Sequence, residues 1–301
     1  MKVLIIGLGS IAKKHINALT KIDQNLEVYA LRSGTGSADV EKVTSIFRYE
    51  DIPDDIDFSI ISNPTSQHAE TIEALAHLGK PLFIEKPVLH QLEDVSRLSK
   101  LIEEKQILTY IGCNLRFHPI IKRLKQEVQK RRPIELNAYC GSYLPLWRPD
   151  SDYRKIYSAI KELGGGVHLD LIHELDYVIY LLGKPEGIQS YRSRKSGLEI
   201  NSVDISHYML EYPDSSAFIT TNYYRIQPKR TIECIWDDDV WTADLISGTL
   251  ISGNSGEILS GNDILETYTD QMKYFCECIQ GQRKMMNDFS EAIEILKICL
   301  N

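Results

Sequence analysis

Along the first 118 residues, short apolar runs alternate with stretches whose apolar positions recur three and four apart. The runs Val3–Ile6, Val28–Leu31, Phe58–Ile61, Leu82–Ile84 and Ile107–Ile111 are largely unbroken, as in strands buried on both faces. Between them, Ala69–Leu78 and Leu92–Glu104 carry helical spacing. Strands alternating with helices predict parallel pairing and an α/β fold with a doubly wound sheet. From about Ile134 the pattern changes. Ile134–Ser142, Ile188–Arg194, Ser206–Tyr212, Ala217–Tyr223 and Thr231–Trp236 read as strands separated by turns such as Tyr212-Pro213-Asp214-Ser215-Ser216. A helix over roughly Leu169–Leu182 sits early in this half, and others close the chain near Thr267–Gln280 and Ser290–Leu300. We therefore expect a doubly wound parallel sheet over residues 1–118. Residues 119–301 should form an α+β domain with an open, mainly antiparallel sheet, its last helix a candidate to pack back on the first domain. No internal repeat or low-complexity tract interrupts either half.

Composition adds mostly exclusions. The 301 residues, 43% hydrophobic and 25% charged, suit a globular protein of about two domains at ~150 residues each. Thirty-four Lys plus Arg against 42 Asp plus Glu leave a net charge of -8, which argues against nucleic acid as a partner, since phosphate-backbone binders need a broad basic face. No apolar run approaches the ~20 residues that span a bilayer, so no membrane partner is expected. The run after Lys2 is short and broken by Gly7, Gly9, Lys13 and Lys14, which fits a buried strand better than a signal peptide. The six cysteines show no zinc spacing and read as reduced thiols of a cytoplasmic protein.

Chemistry concentrates at a few places. Gly7-Leu8-Gly9-Ser10-Ile11-Ala12 follows the first strand and opens a helix, the GxGxxG/A arrangement of a dinucleotide site. The first glycine makes the turn, and the second lets a pyrophosphate approach the backbone. The small third residue allows close helix–strand packing, and free N–H groups with the helix dipole hold the phosphates. NAD sites usually carry Asp or Glu after the second strand; here Arg32-Ser33-Gly34 stands there, which suits a 2′-phosphate and favours NADP over NAD. Arg32 as a solvated loop residue is the alternative. Asn63-Pro64 with His68 follows the third strand, and Glu85-Lys86-Pro87 follows the fourth, where ligands collect in open α/β sheets. His68 could instead be a plain helix-start residue and Lys86 a surface lysine. Farther on, Gly164-Gly165-Gly166 precedes a helix on which Asp170 and His173 are spaced to share a face with Asp176. That pair reads as an acid/base pair, as a buried salt link, or as part of a metal site; no further ligand stands at metal spacing, and none is expected.

In this order the residues resemble the glucose–fructose oxidoreductase / inositol dehydrogenase (Gfo/Idh/MocA) family over nearly the whole chain. The resemblance rests on Gly7–Ala12, Asn63-Pro64-Thr65-Ser66-Gln67-His68, Glu85-Lys86-Pro87, Asn114-Leu115-Arg116-Phe117, Trp147-Arg148 and the Asp170/His173 segment. It implies a Rossmann domain followed by an α/β domain with an open sheet. Gly7, Gly9, Ser10 and Ile11 would contact the pyrophosphate, and Asn63, Pro64 and His68 would line the path from adenosine to nicotinamide. Glu85 and Lys86 would lie beside the nicotinamide ribose, with the Lys-Pro bond commonly cis, and Trp147 and Arg148 would border the nicotinamide. Lys86 and His173 would hold the reacting hydroxyl or carbonyl, His173 as general acid/base and Asp170 orienting substrate. Asn114 and Arg116, and Tyr153 and Arg154 of the long segment Pro149–Leu163, are expected as further substrate contacts.

The implied activity is NAD(P)-dependent hydride transfer to or from a sugar or sugar derivative. Reduction of another carbonyl or an imine, and a catalytically silent dinucleotide-binding regulator, are the alternatives. Two departures from the family pattern matter. Only Leu171 and Ile172 separate Asp170 from His173, where three residues are commoner. The segment Pro149–Leu163 is long and, with Arg148, Arg154, Lys155 and Lys161, suits an anionic or nucleotide-linked sugar, unless it is an exposed loop or an oligomer contact. Family members commonly associate as dimers or tetramers, and the open sheet is the expected surface.

Overall fold

The computed structural model describes residues 1–34, 42–261 and 263–301. The chain divides into two compact units, one of residues 1–114 with 265–294, the other of 115–264 with 295–301.

The first unit is built on six parallel strands: β1 (Lys2–Ile6), β2 (Glu27–Leu31), β3 (Val43–Ile46), β4 (Phe58–Ile61), β5 (Leu82–Glu85) and β6 (Thr109–Gly112). Their order is β3-β2-β1-β4-β5-β6, that of the doubly wound dinucleotide-binding sheet, with its reversal between β1 and β4. Val3, Leu4, Ile5, Phe58, Ile60 and Phe83 are wholly buried, which is why these strands read as continuous apolar runs. Helices make three of the connections: α1 (Ser10–Ile22) between β1 and β2, α2 (His68–Leu75) between β4 and β5, and α3 (Val95–Glu104) between β5 and β6. The helix expected to Leu78 leaves α geometry at Ala76, finishes as a short 3-10 turn and is stopped by Gly79 in the left-handed region.

Residues 265–294, which linear order had assigned to the second domain, belong to this unit. They include all but the first residue of helix α7, whose Phe275 meets Phe58 and Phe83 edge-on at centroid distances of 5.1 and 5.5 Å. Such aromatic pairs add about 0.5–1.5 kcal/mol each beyond burial. Asn287 continues the attachment, donating from Nδ2 to Ile111 O at 2.7 Å. Here α7 is Ile264–Ile279 and α8, the last helix, is Phe289–Leu300.

The second unit begins with α4 (Pro119–Lys130) and β7 (Glu135–Gly141). After α5 (Val167–Asp170) and α6 (His173–Leu182) come β8 (Gly187–Ser193), β9 (Ile205–Tyr212), β10 (Ser215–Asn222) and β11 (Lys229–Ile235). A run of short strands follows, β12 (Val240–Asp244), β13 (Thr249–Ser252) and β14 (Gly256–Ser260). The sheet order is β14-β13-β12-β11-β7-β10-β9-β8, antiparallel except for the parallel β7–β10 pair. The fold is thus α/β, a doubly wound parallel sheet plus an open, mainly antiparallel one, as expected.

One element differs from its pattern. The single helix expected over Leu169–Leu182 is broken at Leu171–Ile172. Leu171 leaves helical geometry at φ -102°, ψ 31°, and the chain resumes as α6 at His173. Gly166 opens α5 at φ 134°, a conformation that favours glycine. Gly165 before it is held in by three carbonyls: a Cβ there would stand 2.2 Å from Tyr157 O and 2.7 Å from Ile160 O and Ser158 O.

Candidate functional site

In the first unit, strand register lines up the residues singled out above. Leu31, Ile6, Ile61, Ile84 and Ile111 pair across the sheet in one row. One residue farther, at the carboxyl edge, stand Arg32, Gly7, Ser62, Glu85 and Gly112. From Arg32 to Glu85 is three strand spacings, roughly 14 Å. Ligands of open α/β sheets collect along this edge, at the reversal of strand order.

Gly7 turns the chain at φ 82° and donates its N–H to Leu31 O at 2.9 Å. A Cβ on Gly7 would stand 3.2 Å from Asn63 Cα, whereas one on Gly9 would meet nothing within 4 Å. Gly9 caps α1, and Ser10 and Ile11 begin it with no acidic residue in the first turn. Opening N–H groups of a helix lack intrahelical acceptors and sit at the positive end of its dipole. The loop therefore has room, donors and charge sign for a pyrophosphate.

Arg32 is buried, and its Nη1 donates to Ser45 Oγ of β3 at 2.9 Å; Ser33 beside it is exposed. Asn63 donates from Nδ2 to Thr71 Oγ1 at 2.8 Å, and Pro64 is exposed. His68 is buried with both ring nitrogens 3.1 Å from carbonyls, those of Val88 and Asn63. Burial pushes its pKa below the ordinary value, so the ring is neutral and donates to one of the two. It ties the loop after β4 to the one after β5 rather than facing the edge itself. The Lys86–Pro87 bond is cis, as the resemblance implied. Glu85 is buried and accepts the Lys86 N–H on Oε2 at 3.2 Å, while Lys86 is half-buried. Asn114 donates from Nδ2 to Thr267 Oγ1 at 2.7 Å.

Sequence reasoning missed His15. It is wholly buried on α1 and places Nε2 2.6 Å from Glu85 Oε1. The available signal was a polar residue on the otherwise apolar inward stripe of Ala12, Ile16 and Leu19.

In the second unit, Asp170 ends α5 and is buried, accepting hydrogen bonds from the hydroxyls of Tyr223 and Tyr157. Burial, then the neighbouring Asp170 charge, raises the pKa of both tyrosines, which stay protonated donors. His173 is half-buried and opens α6. Because the helix breaks between them, Asp170 and His173 do not lie on one continuous helical stripe with Asp176.

Asp176 is held elsewhere. Arg116 grips it with Nε 3.0 Å from Oδ2 and Nη2 2.6 Å from Oδ1, both side chains almost fully buried. That geometry is a buried ion pair of the scaffold. Glu174 one residue past His173 is likewise paired, with Arg230 Nε at 2.7 Å.

Trp147 donates from Nε1 to Ser142 Oγ at 2.8 Å and stands edge-on to Tyr223 at 5.3 Å. Arg148 is exposed, its guanidinium 5.9 Å over the Tyr157 ring. Pro149–Leu163 is a chain of short 3-10 turns over Tyr153–Lys155, Tyr157–Ala159 and Lys161–Leu163. Tyr153 Oη accepts the Glu199 N–H at 3.2 Å, and exposed Arg154 bridges Asp152 and Glu199. Arg154, Arg194, Ser196 and Asn201 line a groove of about 570 Å³.

The fold and the glycine edge are those of the doubly wound sheets on which dinucleotides are bound. Residues 1–112 match the family described as "Oxidoreductase family, NAD-binding Rossmann fold", GFO_IDH_MocA. The match covers the first 112 residues and agrees with the resemblance carried by the motifs there. It is 28% identical over 190 residues to an uncharacterized oxidoreductase, YrbE, of Bacillus subtilis, covering 60% of this chain and 53% of that one. It is 29% identical over 197 residues to a myo-inositol 2-dehydrogenase of Thermotoga maritima, covering 61% and 55%. These matches span about half the length of the curated relatives. A solved UDP-N-acetylglucosamine 3-dehydrogenase, GnnA, of Acidithiobacillus ferrooxidans shares the fold at a TM-score of 0.80 and 20% identity, covering 100% of this chain and 95% of that one. Among the described residues no helix is long and apolar enough to cross a membrane.

Proposed function

We propose that the protein is an NAD(P)-dependent dehydrogenase or reductase acting on a CH–OH or carbonyl carbon of a sugar or sugar derivative. The observation that carries this is the carboxyl edge of the parallel sheet. There Arg32, the Gly7–Gly9 turn, Asn63 and Glu85-Lys86 follow one another in register, the order in which an extended dinucleotide would run from adenosine to nicotinamide. The dehydrogenase relatives support the reaction class.

When bound, the nicotinamide would accept or supply the hydride at C4. The opening N–H groups of α1 hold the pyrophosphate, with Ser10 and Ile11 next to it. Lys86 holds the substrate oxygen and, as a cation, disfavours its protonation. His173 takes the hydroxyl proton on oxidation and returns it on reduction, a task for which imidazole is suited near neutral pH. Asp170, anchored by Tyr157 and Tyr223, fixes the segment that leads into His173. Trp147 and Arg148 would border the nicotinamide, and Asn114 would offer a polar contact to substrate. Turnover of NAD(H) and NADP(H) with a sugar and sugar-alcohol panel tests the reading. His173→Ala with full activity would overturn the proton role, and no turnover on any member, with dinucleotide bound, would favour a silent regulator.

Finer features belong to the same proposal. Arg32 and Ser33 favour NADP; an unchanged NADP-to-NAD affinity ratio in Arg32→Ala would reject this. Exposed Arg148, Arg154 and Lys155 favour an anionic or nucleotide-linked sugar, with Tyr153 holding the groove wall. Arg154→Ala leaving neutral and anionic substrates equally used would count against it. A homodimer or homotetramer through the open sheet, and a cytoplasmic location for a chain whose cysteines are all free thiols, complete the picture.

A further inference from the structure

We propose that His15 is a positioning residue: from α1 it grips the Glu85 carboxylate and so sets the Lys86 segment that faces the nicotinamide end of a dinucleotide. The inference rests on the dinucleotide reading above and concerns residues that reading leaves unexplained.

His15 is wholly buried between the ring edges of Phe83, at 4.9 Å, and Tyr268, at 5.8 Å. An apolar side chain would fill such a slot without a polar atom to satisfy. Instead Nε2 lies 2.6 Å from Glu85 Oε1, while Nδ1 is buried with no hydrogen-bond partner among the described residues. A polar ring kept here at the cost of one orphaned nitrogen points to the Glu85 contact as its purpose. A carboxylate only accepts, so the shared proton resides on Nε2.

Glu85 is fixed from its other side as well. Its Oε2 accepts the Lys86 N–H at 3.2 Å, which joins the carboxylate to the backbone that carries Lys86. Opposite it across the β5–β6 register stands Gly112, where a Cβ would lie 3.0 Å from Oε1, so the glycine keeps the carboxylate's place open. His15 lies five residues after Ser10, about 7.5 Å along a rigid helix from the end that would hold pyrophosphate. One helix thus sets both the phosphate-binding turn and, through His15 and Glu85, the lysine three strand positions away from the adenosine side.

The test compares ligands that share adenosine and pyrophosphate but differ at the nicotinamide. NADH and ADP-ribose, and their 2′-phosphorylated counterparts, are titrated against wild type, His15→Phe, His15→Asn and His15→Gln. Phe removes the donor and keeps ring volume; Asn keeps an amide that falls short of Glu85; Gln restores an N–H near the Nε2 position. His15→Phe and His15→Asn should weaken NADH about tenfold while leaving ADP-ribose within about twofold, and His15→Gln should recover most of the loss. Acylation of Lys86 measured by mass spectrometry without any dinucleotide should change in the same variants, with Lys100 as control. Equal weakening of both ligands, or none, together with an unchanged Lys86 rate, overturns the proposal. Wild type binding neither ligand overturns the dinucleotide reading instead, and the Lys86 rate still decides whether His15 positions the lysine.

Discussion

Replacing Arg116 by Met removes one partner of a buried ion pair and leaves Asp176 behind. The two side chains are 1% and 2% exposed, and the guanidinium reaches both carboxylate oxygens. Water cannot take over the lost bonds, so Asp176 becomes an uncompensated buried charge, at a cost of about 3–5 kcal/mol. Met keeps most of the volume over Tyr180, whose ring lies 5.0 Å from the guanidinium carbon. In Arg116→Met/Asp176→Leu the charge is gone from both sides, and stability should return to within about 1 kcal/mol of wild type. All the tryptophans, Trp147, Trp236 and Trp241, lie in the second unit, so their fluorescence in a urea titration reports that unit alone. With a urea slope of about 1–3 kcal/mol per molar, the single variant should unfold at least about 1 M earlier. A single variant as stable as wild type but raised in KM for substrate would refute the scaffold assignment and return Arg116 to the substrate. A double variant no more stable than the single would refute the ion-pair arithmetic.

Three further outcomes are expected. Gly9→Ala adds a methyl that touches no protein atom, so unfolding should move by no more than about 1 kcal/mol while dinucleotide affinity falls at least about tenfold; unchanged affinity by titration would remove the pyrophosphate from this turn. Tyr223→Phe deletes one donor to buried Asp170 and should lower stability by about 1.5–3 kcal/mol in the tryptophan-monitored titration, with a parallel fall in turnover; no change in either would show that Asp170 does not need it. His168 is buried, and burial, then the charge of Arg192, pushes its pKa down to about 3. The unfolded chain therefore takes up a proton below about pH 6.5 that the folded one refuses, so stability should decline as pH falls from there toward 3, by up to about 1.4 kcal/mol per unit. His168→Phe should flatten that slope in urea titrations at pH 7.5 and 5.5, and an equal slope would count against it.

What could be read from the chain is what nearest neighbours along it determine. The β1 run, the glycine turn and the start of α1 lie within one short segment, so their spacing carries the geometry. The same holds for Asn63-Pro64 and Glu85-Lys86, each directly after a buried strand. Short strands with little apolar content, such as Val43–Ile46 and the β12–β14 run, gave weak signals because each is stabilised by its sheet partners rather than by its own pattern. The contacts that decide roles were out of reach for another reason. His15 meets Glu85 across 70 residues, Arg116 meets Asp176 across 60, and Tyr223 meets Asp170 across 53. No local period marks such pairs, and a lone charged or ring residue on an apolar stripe is their only trace.

The shortened spacing between Asp170 and His173 is where this limit bears on mechanism. On an unbroken helix, three positions turn a side chain by 300°, so the two groups would stand 60° apart on one face and form a natural acid/base pair. The chain instead leaves helical geometry at Leu171 and starts α6 afresh, with Gly165 wedged among three carbonyls just upstream and Tyr223 reaching in from the end of β10. Asp170 is thereby turned to the two tyrosine hydroxyls, and Asp176 to Arg116. The carboxylates near His173 are already engaged by donors of the scaffold, Glu174 by Arg230 among them. Proton transfer in the proposed reaction then falls to His173, with Lys86 holding the oxygen, while the acidic residues around the glycines hold the segment in place. Activity in Asp170→Asn would accordingly be spared far more than in His173→Ala, since the amide oxygen still accepts a tyrosine hydroxyl while its NH2 can donate to the other, and an alanine carries no proton.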